Sequence, residues 1–144
     1  MRRNWRMAVS DLLSGGAPGS PARLAASALL VAAIVGGPAA AALATLPDRA
    51  AATDALLAAV QGFAVVLFTL EYALRLWSAP EQRPDAATPG QARRHYLASP
   101  LGIVDLLAVL PFWLGSVLPA GGDWVAVFGL LALLKLGRYA PGLG

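Results

Sequence analysis

The sequence contains no cysteine and a single histidine among its 144 residues. Without thiols the chain has no disulfides and no thiolate metal ligands. The histidine, His95, follows Arg93 and Arg94 in a stretch that we expect to be a loop at the membrane surface, with Ser99 close by but no acid nearby to orient the imidazole. A catalytic constellation needs such an orienting group. The sequence therefore predicts no enzyme, no catalytic residue, no cofactor and no metal site.

Charged residues are also scarce, at 13% of the chain against 58% apolar residues. Soluble domains carry about 25% charged residues, so this chain has too few to cover a water-exposed surface. The apolar residues fall into four segments that we expect to be membrane-spanning helices, of which the last is shorter and ends in charge. These segments run over about 24–46, 55–77, 101–118 and 124–139. The predicted fold class is all-α, a transmembrane four-helix bundle.

The first apolar segment, from Leu24 to Leu46, carries no charge. As a helix it would be about 35 Å long, which is enough for a bilayer. A secretory signal would have a shorter apolar core, and an interfacial amphipathic helix would have a polar face. Neither description fits. We therefore divide the chain into a basic cytoplasmic N-terminal segment, residues 1–22, and a four-helix transmembrane domain, residues 23–144.

The basic residues are unevenly distributed between the two ends of these segments. If the N-terminus is cytoplasmic, Arg49 is the basic residue on the opposite side, and the rest lie on the cytoplasmic side. Those are Arg2, Arg3, Arg6, Arg23, Arg75, Arg83, Arg93, Arg94, Lys135 and Arg138. The positive-inside rule then places both termini in the cytoplasm. The net charge of +3 is a topology signal, and no nucleic-acid partner is expected because the basic residues do not alternate with aromatics.

Ionisable residues occur within the apolar segments themselves, where each costs at least ~2.5 kcal/mol at a helix centre. Glu71 is in the second segment, Asp105 is about one turn into the third, and Lys135 and Arg138 are in the fourth. The two acids are expected at a similar depth. Two acids at one level would attract a cation, and Lys135 and Arg138 could supply it.

The second segment gathers its polar residues on one face. Gln61, Phe68, Glu71 and Arg75 are spaced seven, three and four apart, which places them on the same side of a helix. That side is expected to face into the bundle. A purely structural explanation stays open, because Glu71 and Arg75 could form a local i,i+4 pair. Arg75 and Arg138 could also simply extend to the membrane interface.

Three stretches resemble, in order, the voltage-sensor domain of bacterial voltage-gated potassium channels. They are "FTLEYALRLW" from Phe68, "SPLGIVDLLAVLPFWL" from Ser99 and "LLALLKLGRYAPGL" from Leu130. The resemblance implies a voltage-sensor fold in a bacterial inner membrane. It also implies residue roles: Phe68 as the aromatic plug of the charge-transfer centre, Glu71 and Asp105 as inner countercharges, Arg75 as support at the inner end, and Lys135 and Arg138 as gating charges.

The sequence departs from that family in its charge count and in its length. Basic residues are expected at every third position of the fourth helix, but Ala126, Gly129 and Ala132 are neutral, as is Gln61 at the outer acidic position. No filter-like TVGYG sequence follows, and the sequence stops at Gly144. We therefore expect a sensor module with a reduced set of gating charges and no pore of its own. Its expected partners are the lipid bilayer and a channel pore domain, in cis or in trans, with a homotetramer if a pore is present.

Two other functions remain open. A stand-alone proton-permeable voltage sensor would need an acid in its first helix, and the segment from Leu24 to Leu46 has none. An electrically silent membrane scaffold or assembly module would keep the fold without the charges. The neutral residues at 126, 129 and 132 favour this second alternative.

The predicted topology can be tested by cysteine accessibility, since the chain has no native cysteine. A thiol introduced by Asp48→Cys should react with an impermeant reagent added outside intact cells. A thiol introduced by Gln91→Cys should react only after permeabilisation. The reverse pattern would contradict the placement of both termini in the cytoplasm.

Overall fold

The structure is a computed structural model that describes residues 5–14, 21–117 and 131–135. Over these ranges the fold is all-α, as predicted. The helices are α1 (Trp5–Ser14), α2 (Pro21–Leu43), α3 (Ala51–Ser78), α4 (Pro89–Ala98), α5 (Pro100–Leu107) and α6 (Leu110–Val117), with a 3₁₀ turn at Ala79–Gln82. Residues 131–133 are also helical. Most of the fourth predicted segment, 124–139, lies outside the described residues, and so does Arg138.

Two of the helices, α2 and α3, are long and apolar enough to cross a membrane. They begin three to four residues before the predicted segments 24–46 and 55–77. Pro21 opens α2, where its missing N–H costs nothing. In α3, Asp54 lies in the first turn, near the positive end of the helix dipole, and accepts a hydrogen bond of 2.7 Å from Arg49 Nε.

The third predicted segment, 101–118, is not one continuous helix, and that prediction was wrong in this respect. Ala108 and Val109 form a turn that separates α5 from α6. Pro111 explains the break, because proline has no N–H to donate to the carbonyl of Leu107 and its ring clashes with that carbonyl. The Val109 N–H instead bonds to the carbonyl of Leu106 at 3.1 Å, a tighter 3₁₀-type contact.

The connection between α3 and α5 contains a helix, so the prediction that His95 lies in a loop was wrong. Thr88 caps α4, since its Oγ1 accepts a hydrogen bond of 3.2 Å from the Gln91 N–H. Pro89 is the first helical residue, a favoured position for proline. This helix meets the segment Pro100–Gly115 at a bend of 70°. If the bent pair is counted as one span, the described residues hold three candidate spans.

The N-terminal stretch also forms a helix, α1, which packs against the cytoplasmic end predicted for α3. The guanidinium carbon of Arg6 lies 5.2 Å from the centre of the Trp77 ring, a cation–π contact. Ser10 is buried on the same helix, whereas Trp5 is 81% exposed. The helix therefore has one side against the protein and one side open.

The interior is a small apolar cluster between α2, α3, the α5–α6 turn and the 131–135 segment. Its buried members are Leu30, Ala33, Ile34, Ala64, Val65, Phe68, Val109 and Ala132. Large apolar side chains also cover the outer faces of the helices, and among them Leu56 and Phe63 are more than half exposed. Such a surface is unfavourable in water and favourable in lipid. Together with the candidate spans, it identifies a membrane protein.

Two glycines provide a matched test of this packing. A Cβ at Gly102 would overlap the Tyr96 carbonyl oxygen, whereas a Cβ at Gly62 would meet nothing within 4 Å. Gly102→Ala should therefore destabilise the protein by about 1–3 kcal/mol, as overpacking does. Gly62→Ala should be neutral or stabilise it by up to about 1 kcal/mol through helix propensity. Thermal unfolding in detergent would measure both, and equal effects would contradict the close approach at Gly102.

Candidate functional site: a buried ion-pair cluster

The helical spacing of α3 brings three predicted site residues to its inner face. Phe68, Glu71 and Arg75 are all buried, with exposed fractions of 0%, 3% and 6%. They follow each other at i, i+3 and i+7, which is the pattern of one helix face. Gln61, two turns before Phe68, is only partly buried. The predicted inward face is therefore confirmed for the half of α3 that holds the charges.

Lys135 lies opposite this face and is the central cation of the site. Its Nζ is 2.6 Å from Glu71 Oε2 and 3.2 Å from Asp105 Oδ1. The expected contact between these acids and Lys135 is therefore present. The same Nζ lies 4.6 Å from the centre of the Phe68 ring, within the range of a cation–π contact. Lys135 thus reaches two carboxylates and one aromatic face while its side chain is fully buried.

Arg75 completes the site from one turn further along α3. Its Nη2 and Nε lie 2.8 and 2.9 Å from Glu71 Oε1, and its Nε lies 3.9 Å from Asp105 Oδ2. The local Glu71–Arg75 pair that the spacing allowed is therefore present, together with the longer-range pair to Lys135. Arg75 does not extend away from the protein, since its side chain is 7% exposed.

The four charges balance one another. Glu71 and Asp105 are matched by Lys135 and Arg75, and all of them are nearly inaccessible to solvent. An unpaired charge at such a site would cost several kcal/mol in lost hydration. Each carboxylate oxygen instead has a cation or a hydrogen-bond donor within reach. The cluster is thus a buried, neutral arrangement that holds one lysine ammonium in place.

Tyr96 is a member of the site that the sequence did not reveal. Its hydroxyl donates a 2.6 Å hydrogen bond to Asp105 Oδ2. The residue was overlooked because the stretch around it was expected to be a loop. The dipeptide Thr88-Pro89 is the signal that could have predicted α4, but it does not indicate that Tyr96 faces Asp105. Only the 70° bend between α4 and the segment Pro100–Gly115 brings the two together.

Ala132, one turn before Lys135, is fully buried in the apolar cluster. Arg138 lies outside the described residues. In the part of the chain that the structure describes, no group of three His, Cys, Asp or Glu side chains could hold a metal ion.

A comparison with known protein families identifies the class of protein. The profile of the Ion transport protein family matches residues 27–144, which include most of α2, all of α3–α6 and Lys135. This chain belongs to the Ion transport protein family. The membership agrees with a membrane protein that is not an enzyme.

Individual relatives carry potassium channel names. A protein of Rhodopseudomonas palustris named "Putative potassium channel protein RPA4233" is 36% identical over 89 residues, which is 61% of this chain and 22% of that protein. The A-type voltage-gated potassium channel of human and of rat is 30% identical over 71 residues, 49% of this chain and 9% of the channel. The chain therefore spans about a fifth or less of the length of these relatives.

The ion-pair cluster predicts that removing a buried charge destabilises the protein far more than removing an exposed one. Lys135→Met should destabilise the protein by about 3–5 kcal/mol, because it leaves two buried carboxylates with one cation. Adding Asp105→Asn should recover part of the loss by restoring charge balance. Arg49→Gln should cost at most about 1 kcal/mol, since its partner Asp54 is half exposed. Unfolding titrations in mixed micelles would compare them, and a cost for Lys135→Met no larger than for Arg49→Gln would contradict the cluster.

Proposed function

We propose that this chain is the voltage-sensor module of a potassium-type ion channel, with a reduced set of gating charges. The observation that carries the proposal is the buried ammonium of Lys135, held between Glu71 and Asp105 against the face of Phe68. The potassium channel names of the relatives support the same assignment. No filter-like TVGYG occurs in these 144 residues. The proposed pore is therefore supplied by another segment or another chain, and the assembled channel is a homotetramer.

The proposed topology follows from the charge distribution in the sequence. Four spans with both termini in the cytoplasm form the sensor domain, residues 23–144, after a basic cytoplasmic segment, residues 1–22. In a bacterial inner membrane this topology puts Lys135, Glu71 and Asp105 near the cytoplasmic side. A cation bound at this depth experiences the membrane field whenever its helix moves.

The proposed roles of the site residues follow from their contacts. Glu71 and Asp105 serve as countercharges that lower the cost of a cation in the membrane interior. Phe68 serves as the plug, since its fully buried ring closes the apolar cluster beside the ammonium and keeps water out. Arg75 supports the inner end, because it neutralises the charge that Glu71 would present if Lys135 moved away.

The number of mobile charges limits the response to voltage. Lys135 and Arg138 are the proposed gating charges, whereas Ala132 occupies the preceding helical turn as a neutral, fully buried residue. Moving one elementary charge through 100 mV is worth about 2.3 kcal/mol, so these two cations yield at most ~5 kcal/mol in each subunit. The proposed sensor is therefore a weak one.

Measurement of charge displacement tests the proposal directly. Voltage steps applied to membranes that hold the 144-residue chain should displace at most about two elementary charges per chain. Lys135→Gln should remove roughly half of this displacement or more, because it removes one of the two cations. Lys135→Arg should retain it because the positive charge is kept.

Arg94→Gln is the matched control for this experiment. Arg94 is exposed on α4, so its neutralisation should leave the displaced charge unchanged. Displacement that persists in full in Lys135→Gln would show that other residues sense the field. A steady proton current through the unmodified chain would instead favour a proton-permeable sensor.

An electrically silent scaffold or assembly module is the second candidate function. The observation that favours it is the saturation of Lys135, which already has two carboxylates within 3.2 Å. A cation this well held needs a strong field to leave its site. Folded protein at the cell surface that displaces no charge over the full voltage range would support this candidate over the first.

A further inference from the structure

The junction between α4 and α5 is a sharp elbow built around Ser99. Its Oγ donates a 2.7 Å hydrogen bond to the Tyr96 carbonyl and accepts a 3.0 Å hydrogen bond from the Gly102 N–H. Gly102 lies so close to the same carbonyl that a Cβ would overlap it. The backbone of Tyr96 is therefore fixed against the first turn of α5.

The side chain of Tyr96 is fixed against the same helix one turn further along. Its hydroxyl donates to Asp105 Oδ2 at 2.6 Å, and Gly102 and Asp105, at i and i+3, are both buried on one face of α5. The Tyr96 ring also lies 6.2 Å from the ring of Tyr72, the residue that follows Glu71 on α3. Tyr96 is thus held at its backbone, its ring and its hydroxyl.

This arrangement divides the two oxygens of Asp105 between two partners. Oδ2 accepts the hydrogen bond from Tyr96, while Oδ1 faces Lys135 at 3.2 Å. Arg75 Nε lies 3.9 Å from Oδ2, beyond hydrogen-bonding distance. Without the Tyr96 hydroxyl, Oδ2 would lose its 2.6 Å donor, and the charge of Arg75 would draw it closer and turn the carboxylate. The hydroxyl therefore keeps Oδ1 directed at Lys135.

We propose that Tyr96 is a positioning residue that orients the Asp105 carboxylate towards Lys135, and so links the α4–α5 elbow to the ion-pair cluster. Its effect on the Lys135–Asp105 pair is a property of the fold. Its effect on the movement of Lys135 rests on the proposed voltage-sensor function. Unfolding measurements test the first effect, and charge displacement tests the second.

The first test measures the coupling between Lys135 and Asp105 with and without the hydroxyl. The double-mutant cycle uses Lys135→Met and Asp105→Asn in the full chain, with unfolding followed in mixed micelles. In the Tyr96→Phe background we expect the coupling, as a ratio of unfolding equilibrium constants, to fall about tenfold, a factor typical of a hydrogen bond to a charged group. Equal coupling in both backgrounds would overturn the proposal.

Tyr72→Phe is the matched control, because it removes a hydroxyl from the other ring of the same aromatic pair. Among the described residues, the structure gives the Tyr72 hydroxyl no hydrogen bond to Asp105. The Lys135–Asp105 coupling should therefore be retained in this background. A loss as large as that in Tyr96→Phe would show that aromatic packing is responsible, which would overturn the positioning role.

Infrared spectroscopy keeps the proposal testable if Tyr96→Phe does not fold. In protein with isotope-labelled tyrosine, the phenolic C–O band assigned to Tyr96 should shift in Asp105→Asn, because a carboxylate acceptor is replaced by an amide. An unchanged set of tyrosine bands would overturn the proposal. Asp54→Asn serves as the control, since Asp54 is half exposed and pairs with Arg49.

Charge displacement then tests the link to function. If the unmodified chain displaces charge, Tyr96→Phe should shift the midpoint of the displacement and Tyr72→Phe should not, and the shift should vanish when Asp105→Asn is also present. An unchanged midpoint in Tyr96→Phe would overturn the link while leaving the sensor function intact. If the unmodified chain displaces no charge, the proposed function fails, and the coupling measurement alone decides the positioning role.

Discussion

The contact of Lys135 with Glu71 and Asp105 is the interaction on which the rest of the described structure depends. It joins three parts of the chain that are distant in sequence: α3, α5 and the 131–135 segment. In a protein whose outer surface is apolar, none of these charges could be buried alone at acceptable cost. The cluster therefore fixes how these elements face one another, because a change in register would leave at least one charge without its partner.

The neighbouring apolar cluster explains why the charges stay inside. Phe68 is shared by both, since it belongs to the apolar cluster with Ile34 and Val65 and its ring also faces the Lys135 ammonium. Small residues such as Ala33, Ala64 and Ala132 allow close packing around that ring. In a membrane, where lipid is as apolar as the core, close packing and polar contacts between helices replace the hydrophobic effect as the source of association. The compact apolar layer provides the close packing, and the neutral ion cluster beside it provides the polar contacts.

The elbow between α4 and α5 adds a second constraint at the end of the cluster. Ser99 serves both helices, as a hydrogen-bond donor to the end of α4 and as the cap of α5. The close approach at Gly102 is possible because glycine has no Cβ. Together they direct Tyr96 to Asp105, so a helix outside the apolar segments takes part in the charge cluster. The low hydropathy of α4 therefore did not indicate a linker without a role in the ion-pair cluster.

The sequence by itself determined the membrane character, the positions of α2 and α3 to within a few residues, and the inward face that carries Phe68, Glu71 and Arg75. These follow from local quantities, namely the length of apolar runs and the 3.6-residue period of a helix. Only the tertiary structure decided the break before Pro111, the position of α4 beside the charge cluster, and the partners of each charge. Proline in an apolar run is tolerated in many membrane helices, so its effect depends on the neighbouring packing. The pairing of Lys135 with both acids and of Tyr96 with Asp105 depends on the angle between helices, which no spacing within one helix can specify.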